Sequence, residues 1–170
     1  SPSGLTGDFA VALSSSAFLV VDDATSPILA PGTTPLTFEG WIKHSSAAPL
    51  ANQGIIAYGG SYKLGLASGQ LVFTLFGVVD VFSGYFPPAD EWHHVAAVWE
   101  PGVGVTFYLD GAAAFIEETR AARPVSNNLL NLGAERLGNA LEGSIDRLRV
   151  HGAALTVEEL DIAAAEPKAV

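Results

Sequence analysis

Cysteine and methionine are both absent from the 170-residue sequence. Without cysteine, neither a disulfide framework nor a thiolate metal site can form. Long hydrophobic runs are also missing: the apolar stretch from Leu71 to Val79 contains Thr74 and Gly77 and stops at Asp80. Because a membrane-spanning helix needs about 20 consecutive apolar residues, the sequence excludes insertion into a membrane by a helix.

Basic residues are scarce, with 8 Lys and Arg against 18 Asp and Glu and a formal net charge of −10. This charge repels phosphate backbones and anionic lipids, so we expect no nucleic-acid partner. Hydrophobic residues make up 49% of the chain and charged residues 15%. A chain of this length buries about 70% of its unfolded surface. We therefore predict one globular domain over residues 1–170, with its core at about 11–163.

Short runs rich in Val, Ile, Leu, Phe, Tyr and Thr recur about every 8 to 12 residues, which is typical of a β-sandwich or barrel. The pairs Ser68-Gly69 and Asp110-Gly111 predict tight hairpin turns between such runs. The predicted strands are Phe18–Asp22, Leu36–His44, Gly54–Tyr58, Tyr62–Ala67, Leu71–Phe76, Val78–Phe82, Trp92–Glu100, Val103–Asp110, Ala113–Glu117, Leu129–Leu132 and Gly143–His151.

One C-terminal segment departs from this pattern. Thr156 is followed three residues later by Glu159, the spacing of a capping box in which each side chain binds a backbone amide of the other residue. Val157, Leu160 and Ala164 then fall on one helical face. We predict a short helix here, packed on a sheet.

Four stretches carry a resemblance to a known family: Thr37–Lys43, Trp92–Ala96, Phe107–Gly111 and Gly143–Val150. On these motifs and their order, the sequence resembles the laminin-G-like domains of the concanavalin A-like lectin and glucanase superfamily. The resemblance implies an all-β jelly-roll sandwich of two curved antiparallel sheets, in agreement with the strand pattern. The predicted fold is this sandwich with one short C-terminal helix.

Catalytic signatures are missing. Retaining glycosidases place two carboxyl groups about 5 to 5.5 Å apart, whereas Glu142 and Asp146, four residues apart on one strand, are separated by about 13 Å. Glu117 and Glu118 are adjacent and point to opposite faces. No G-x-S-x-G motif is present. The sequence predicts that the chain is not an enzyme.

Metal binding has one candidate. The adjacent His93 and His94 project to opposite sides of a strand, so they are predicted to be hydrogen-bonded imidazoles rather than joint ligands. The resemblance implies instead a structural Ca²⁺ at Asp146, for which Asp8 is the acid available upstream. Alternatively, Asp146 accepts hydrogen bonds from turn amides or pairs with Arg149 or Arg147.

Exposed aromatic side chains on loops are the candidates for sugar binding, because sugar rings stack on aromatic faces. Tyr85 and Phe86 lie in one predicted loop, Tyr58 and Tyr62 flank a glycine-containing turn, and Asn52 offers an amide nearby. The alternative is that Phe86 folds back over a sheet edge and that Tyr62 is half buried.

These features favour a non-catalytic binding or adhesion module that recognises a glycan or a protein surface and acts outside the cell or at its surface. The alternative is a structural phage virion protein, a capsid decoration or tail component, whose partners would be capsid or tail proteins at the virion surface. A glycoside hydrolase is the third hypothesis.

Overall fold

The structure, a computed structural model, describes residues 10–14, 17–21, 29, 34–46, 52–118, 129–135 and 138–160. These residues form two β-sheets. The strands are β1 Val11–Leu13, β2 Leu19–Val21, β3 Leu36–His44, β4 Gln53–Tyr58, β5 Tyr62–Ala67, β6 Gln70–Leu75, β7 Val79–Phe82, β8 His93–Glu100, β9 Gly104–Leu109, β10 Ala112–Glu117, β11 Leu130–Leu132, β12 Ala134–Glu135, β13 Gly138–Ala140 and β14 Gly143–His151.

The first sheet has six antiparallel strands in the order β1-β14-β3-β8-β9-β10. The second has eight, in the order β12-β13-β4-β5-β6-β7, with β11 pairing both β4 and β2. Its pairings are antiparallel except for a single parallel bridge between Ala140 and Gly54. Ser68 and Asp110 both adopt positive φ, at 51° and 49°, each followed by a glycine. The two predicted hairpin turns are therefore confirmed.

The core lies between the two sheets. Alternation along each strand sends every second side chain inward, and these side chains form one apolar cluster. Phe73 of the second sheet stacks on Trp99 of the first with 6.2 Å between ring centroids, and it also lies 6.0 Å from Phe38. These contacts across the interior hold the sheets face to face, as expected for a jelly-roll sandwich.

A β-bulge in β14 changes which face each residue occupies. Regular alternation would put Asp146, Leu148 and Val150 on one face. Instead the register shifts between Asp146 and Arg149, and Arg147 has a φ of 49°. Leu148 and Val150 pack against the core as Ile145 does, while Arg149 reaches Glu39 on the outer face. Asp146 is therefore not on the face of Leu148 and Val150, because the extra residue reverses the alternation.

The predicted C-terminal helix is not supported. Its capping contact forms, because the Thr156 backbone amide donates to the Glu159 carboxylate at 2.9 Å. However, Val157, Glu158 and Glu159 form a single hydrogen-bonded turn followed by a bend at Leu160. The rest of the predicted helix lies outside the described residues. Within the described ranges, no helix has the length and apolarity that crossing a membrane requires.

The C-terminal segment Ala153–Leu160 covers part of the outer face of the first sheet. Leu155, Val157 and Leu160 pack against Ala96, Val98 and Tyr108. Thr37 fixes the segment at its start: its hydroxyl donates to the Ala153 carbonyl at 2.7 Å and accepts from the Leu155 amide at 3.1 Å. The segment therefore covers the outer side chains of β8 and β9 in this part of the first sheet.

Tyr62 gives the fold an expected dependence on alkaline pH. Its side chain is fully buried, its hydroxyl donates to the Leu29 carbonyl at 2.5 Å, and this burial raises its pKa well above the ordinary value of 10.0. A raised folded-state pKa contributes stability that is complete below pH about 10 and is lost as the pH rises further.

We expect the free energy of unfolding of the wild-type protein to fall as the pH rises above about 10. The free energy of unfolding of the Tyr62→Phe variant should fall less over the same pH interval. It should still fall to some extent, because burial also raises the pKa of Tyr108. Urea unfolding across this interval measures both slopes. Equal slopes would show that the ionisation of Tyr62 is not coupled to unfolding.

Candidate functional site

A row of polar side chains crosses the outer face of the second sheet. Lys63 of β5 pairs with Thr74 of β6, which pairs in turn with Asp80 of β7. Directly paired residues share a face. The neighbouring row of Leu64, Phe73 and Val81 belongs to the core, so Lys63, Thr74 and Asp80 point away from it.

This row lines a concave cavity with a volume of about 460 Å³. The volume lies in the range of about 300 to 1,000 Å³ that is usual for small-ligand sites. Besides Lys63, Thr74 and Asp80, the described lining residues are Asn52, Leu75, Phe76, Gly77, Val78, Val79 and Glu135. We call this space the polar cavity.

Lys63 and Glu135 form the best-buried charged pair of the cavity. The Lys63 Nζ lies 2.6 Å from Glu135 Oε2, and the two side chains are only 4% and 16% exposed. The same carboxylate oxygen accepts from Asn139 Nδ2 at 3.4 Å. The ammonium also lies 5.9 Å from the centroid of the Phe76 ring, within the range of a cation–π contact.

Glu135 reaches Lys63 because β12 packs directly on β4. Gly54 makes this approach possible: a Cβ at this position would lie far closer than 3.0 Å to the backbone of Ala134 and Glu135. Any larger residue would therefore have to displace the backbone of β12.

Thr74 and Asp80 provide a second polar pair in the cavity. The Thr74 hydroxyl donates to Asp80 Oδ1 at 2.5 Å. Thr74 is buried, whereas Asp80 is exposed. The cavity thus offers carboxylate acceptors, a hydroxyl and an amide beside the Phe76 ring, a combination suited to a ligand rich in hydroxyl groups.

The structure places the predicted site residues in different environments. Asn52 is exposed and lines the polar cavity. Tyr58 and Tyr62 are only 3% and 0% exposed, and their rings lie 5.7 Å apart inside the core. This burial corrects the prediction that they stack on a sugar, because a ligand at the surface cannot reach either ring.

Tyr85 and Phe86 are not among the described residues that line the cavity. Tyr85 is half buried and packs against the core, while its backbone carbonyl accepts from the Leu71 amide at 2.9 Å. Phe86 is 60% exposed and precedes Pro87, whose carbonyl lies 2.8 Å from His44 Nε2. Phe86 therefore stays a separate candidate for ligand contact.

Among the described residues, the surroundings of Asp146 offer few side-chain oxygen ligands for a calcium ion. Its Oδ2 is buried without a hydrogen-bond partner, but the other described residues of its small cavity are apolar apart from Arg147. Ca²⁺ prefers six to eight oxygen ligands, and no group of three His, Asp or Glu residues in the described ranges could hold a metal. Asp8 lies outside these ranges, so its part in calcium binding stays a prediction.

The two adjacent histidines bind carboxylates on opposite faces of β8. His93 Nδ1 lies 2.7 Å from Asp110 Oδ2, and its Nε2 is buried without a hydrogen-bond partner. In the part of the chain that the structure describes, no hydroxyl group hydrogen-bonds this nitrogen, as a nucleophile activated by a His–Asp pair would.

His94 is fully buried on the other face, with its Nε2 3.2 Å from Glu39 Oε2. Glu39 is also buried, and its Oε1 lies 2.8 Å from His151 Nε2 and 3.9 Å from Arg149 Nη1. This group, which we call the Glu39 cluster, ties β3, β8 and β14 together.

Sequence reasoning missed Lys63, Thr74, Asp80 and Glu135. One signal was available: Lys63 is a lone charge between Tyr62 and Leu64, and such alternation predicts a polar outer face for the strand. The contribution of Glu135 had no comparable signal, because it depends on the close packing of β12 on Gly54.

Comparisons with known proteins agree with this architecture. No curated protein matches the chain in sequence. Among solved structures, the chain is similar to the CBM40 of the Ruminococcus gnavus IT-sialidase, bound to α2,3-sialyllactose. The TM-score is 0.72 at 15% identity, over 92% of this chain and 96% of that chain.

It is also similar to domain 4 of the GH43 extracellular arabinanase of Geobacillus stearothermophilus in complex with arabinotriose. That match has a TM-score of 0.68 at 16% identity, over 92% of this chain and 76% of that chain. The binding domain of botulinum neurotoxin serotype G matches with a TM-score of 0.63 at 13% identity, over 95% of this chain and 47% of that chain. The chain thus spans less than half the length of this toxin domain.

At these identities the similar structures establish the fold alone. The family is established by sequence: the model of Laminin_G_3, in the concanavalin A-like lectin/glucanases superfamily, matches residues 15–161. The chain therefore belongs to this laminin-G family, as its motifs predicted.

Proposed function

We propose that the chain is a non-catalytic carbohydrate-binding module that acts outside the cell and holds its sugar in the polar cavity. The observation that carries this proposal is the cavity lining, in which carboxylate, hydroxyl, amide and ammonium groups occur together with the aromatic ring of Phe76. Sugars offer alternating hydroxyl and C–H surfaces, and such a lining can bind both.

Two further points support the location of this site and its ligand class. The outer face of the first sheet is partly covered by the C-terminal segment, which favours the second sheet as the binding face. Two similar structures are described with bound oligosaccharides, arabinotriose and α2,3-sialyllactose. We carry the general class of ligand from them to this chain, and not the particular sugar.

The test is a glycan array with the wild-type protein and the Thr74→Val variant. This change keeps the shape of the side chain and removes the hydroxyl that organises Asp80. We expect wild-type protein to bind a subset of glycans, and the variant to bind them about tenfold more weakly, which corresponds to about 1.4 kcal/mol.

Thr106→Val is the matched control, because Thr106 lies on β9 of the first sheet. It should bind as the wild type does. A loss of binding in Phe86→Ala, with Thr74→Val unaffected, would move the site to the loop predicted from sequence. If the folded protein binds no glycan on the array, the proposal is contradicted. That result would favour a protein ligand, as in the alternative of a virion component.

A further inference from the structure

The charges of the polar cavity bear on which sugars it accepts. Three charged side chains are found among its described lining residues: the cation Lys63 and the carboxylates of Glu135 and Asp80. The sum of these charges is negative. The chain as a whole has a formal net charge of −10, so the surrounding field has the same sign.

The ammonium of Lys63 is already engaged by a carboxylate of the protein. Its Nζ lies 2.6 Å from Glu135 Oε2, and both side chains are largely removed from solvent. A ligand carboxylate that took the place of Glu135 at this ammonium would leave a largely buried carboxylate without its partner. Such a displacement is costly because both charges are largely removed from solvent.

Asp80 lacks a compensating cation among the described residues. Its Oδ1 accepts from Thr74, which leaves Oδ2 with the capacity to accept a hydrogen bond from a ligand hydroxyl. The same carboxylate repels an acidic sugar, because like charges brought together in a partly desolvated cavity raise the free energy. At this position the Asp80 carboxylate accepts a hydrogen bond from an uncharged hydroxyl group but repels an anionic group.

We infer that the polar cavity selects uncharged sugars and rejects sugars that carry a carboxylate, such as sialic acids and uronic acids. This inference rests on the proposed function and specifies its ligand class. It separates this chain from the similar sialidase domain, which is described bound to a sialylated sugar.

The experiment compares matched glycans that differ only by an acidic sugar, for example lactose and α2,3-sialyllactose, across the array and then in solution. We expect wild-type protein to bind the neutral members at least tenfold more tightly than their acidic counterparts. Because salt screens repulsion between exposed charges, this ratio should decrease as the salt concentration rises.

Glu135→Gln is the decisive variant. It removes the internal partner of Lys63 and frees the ammonium for a ligand carboxylate, so we expect the preference for neutral glycans to fall about tenfold or to reverse. Asp80→Asn changes an exposed side chain, and it should shift the ratio in the same direction even if Glu135→Gln folds poorly. Glu117→Gln alters the net charge equally but lies on β10 of the first sheet, and should leave the ratio unchanged.

The outcomes separate the two proposals. Equal or tighter binding of acidic glycans by the wild type would overturn this inference while leaving carbohydrate binding intact. A ratio unchanged in both cavity variants would overturn it as well, because the selection would then come from elsewhere. Absence of binding to every glycan, neutral or acidic, would overturn the proposed function and this inference together.

Discussion

Glu39→Ala should destabilise the fold by about 3 to 5 kcal/mol. Glu39 is a buried carboxylate that lies within hydrogen-bond distance of two histidine rings, His94 on β8 and His151 on β14. Its removal leaves the fully buried His94 without this partner and opens a space between three strands. Unmatched buried polar groups carry the full cost of their lost hydration.

The measurement is the urea midpoint, supported by the melting temperature, which changes by about 2 to 4 °C per kcal/mol in a chain of this size. Glu39→Gln should lose less, because the amide keeps one oxygen acceptor for a histidine. Glu117→Ala removes an exposed glutamate from β10 and should change the stability by less than about 0.5 kcal/mol. A Glu39→Ala variant as stable as this control would show that the Glu39 cluster does not hold the first sheet together.

Gly54→Ala should be comparably damaging, with a loss of about 3 kcal/mol or more. The added methyl group would meet backbone atoms of Ala134 and Glu135, and backbone cannot move aside as a side chain can. The displaced strand β12 carries Glu135 away from Lys63, so glycan binding should fall with stability.

Gly102→Ala is the matched control for this change. Gly102 has a φ of 78°, and a Cβ there would meet no atom within 4 Å. Its cost is therefore only the strain of a left-handed backbone, about 1 to 2 kcal/mol. Urea unfolding of both variants compares the cost of backbone strain at Gly102 with the cost of the steric clash at Gly54. A Gly54→Ala variant no less stable than Gly102→Ala would contradict the close packing of β12 on β4.

Most strands could be predicted from the sequence because alternation and turn residues are local features of the chain. Leu36–His44, Tyr62–Ala67 and Gly143–His151 were predicted with the bounds of β3, β5 and β14, since alternation and turn residues mark their ends. The helix prediction is not supported, for a related reason. A capping box stabilises the first turn of a helix but does not determine whether the helix continues. The described residues after Thr156 form only that first turn.

The candidate site was harder to predict because it depends on contacts between distant segments. The position of Tyr62 next to a glycine-containing turn is compatible with an exposed ring that stacks on a sugar and with a core ring whose hydroxyl donates to the Leu29 carbonyl. Only the packing of the folded chain distinguishes these two roles. The bulge in β14 likewise reverses the faces of later residues without a clear mark in the sequence. Lys63 and Glu135 are 72 positions apart, and their pairing follows from the sheet.

A sugar bound in the polar cavity would contact the outer face of the second sheet. Nuclear magnetic resonance titration of isotope-labelled protein with the tightest-binding neutral glycan from the array locates the bound sugar. We expect the amide shifts to concentrate at Lys63, Thr74 and Asp80 and at the neighbouring Phe76, which line the cavity. Shifts centred on Phe86, or on the strands of the first sheet, would contradict this expectation.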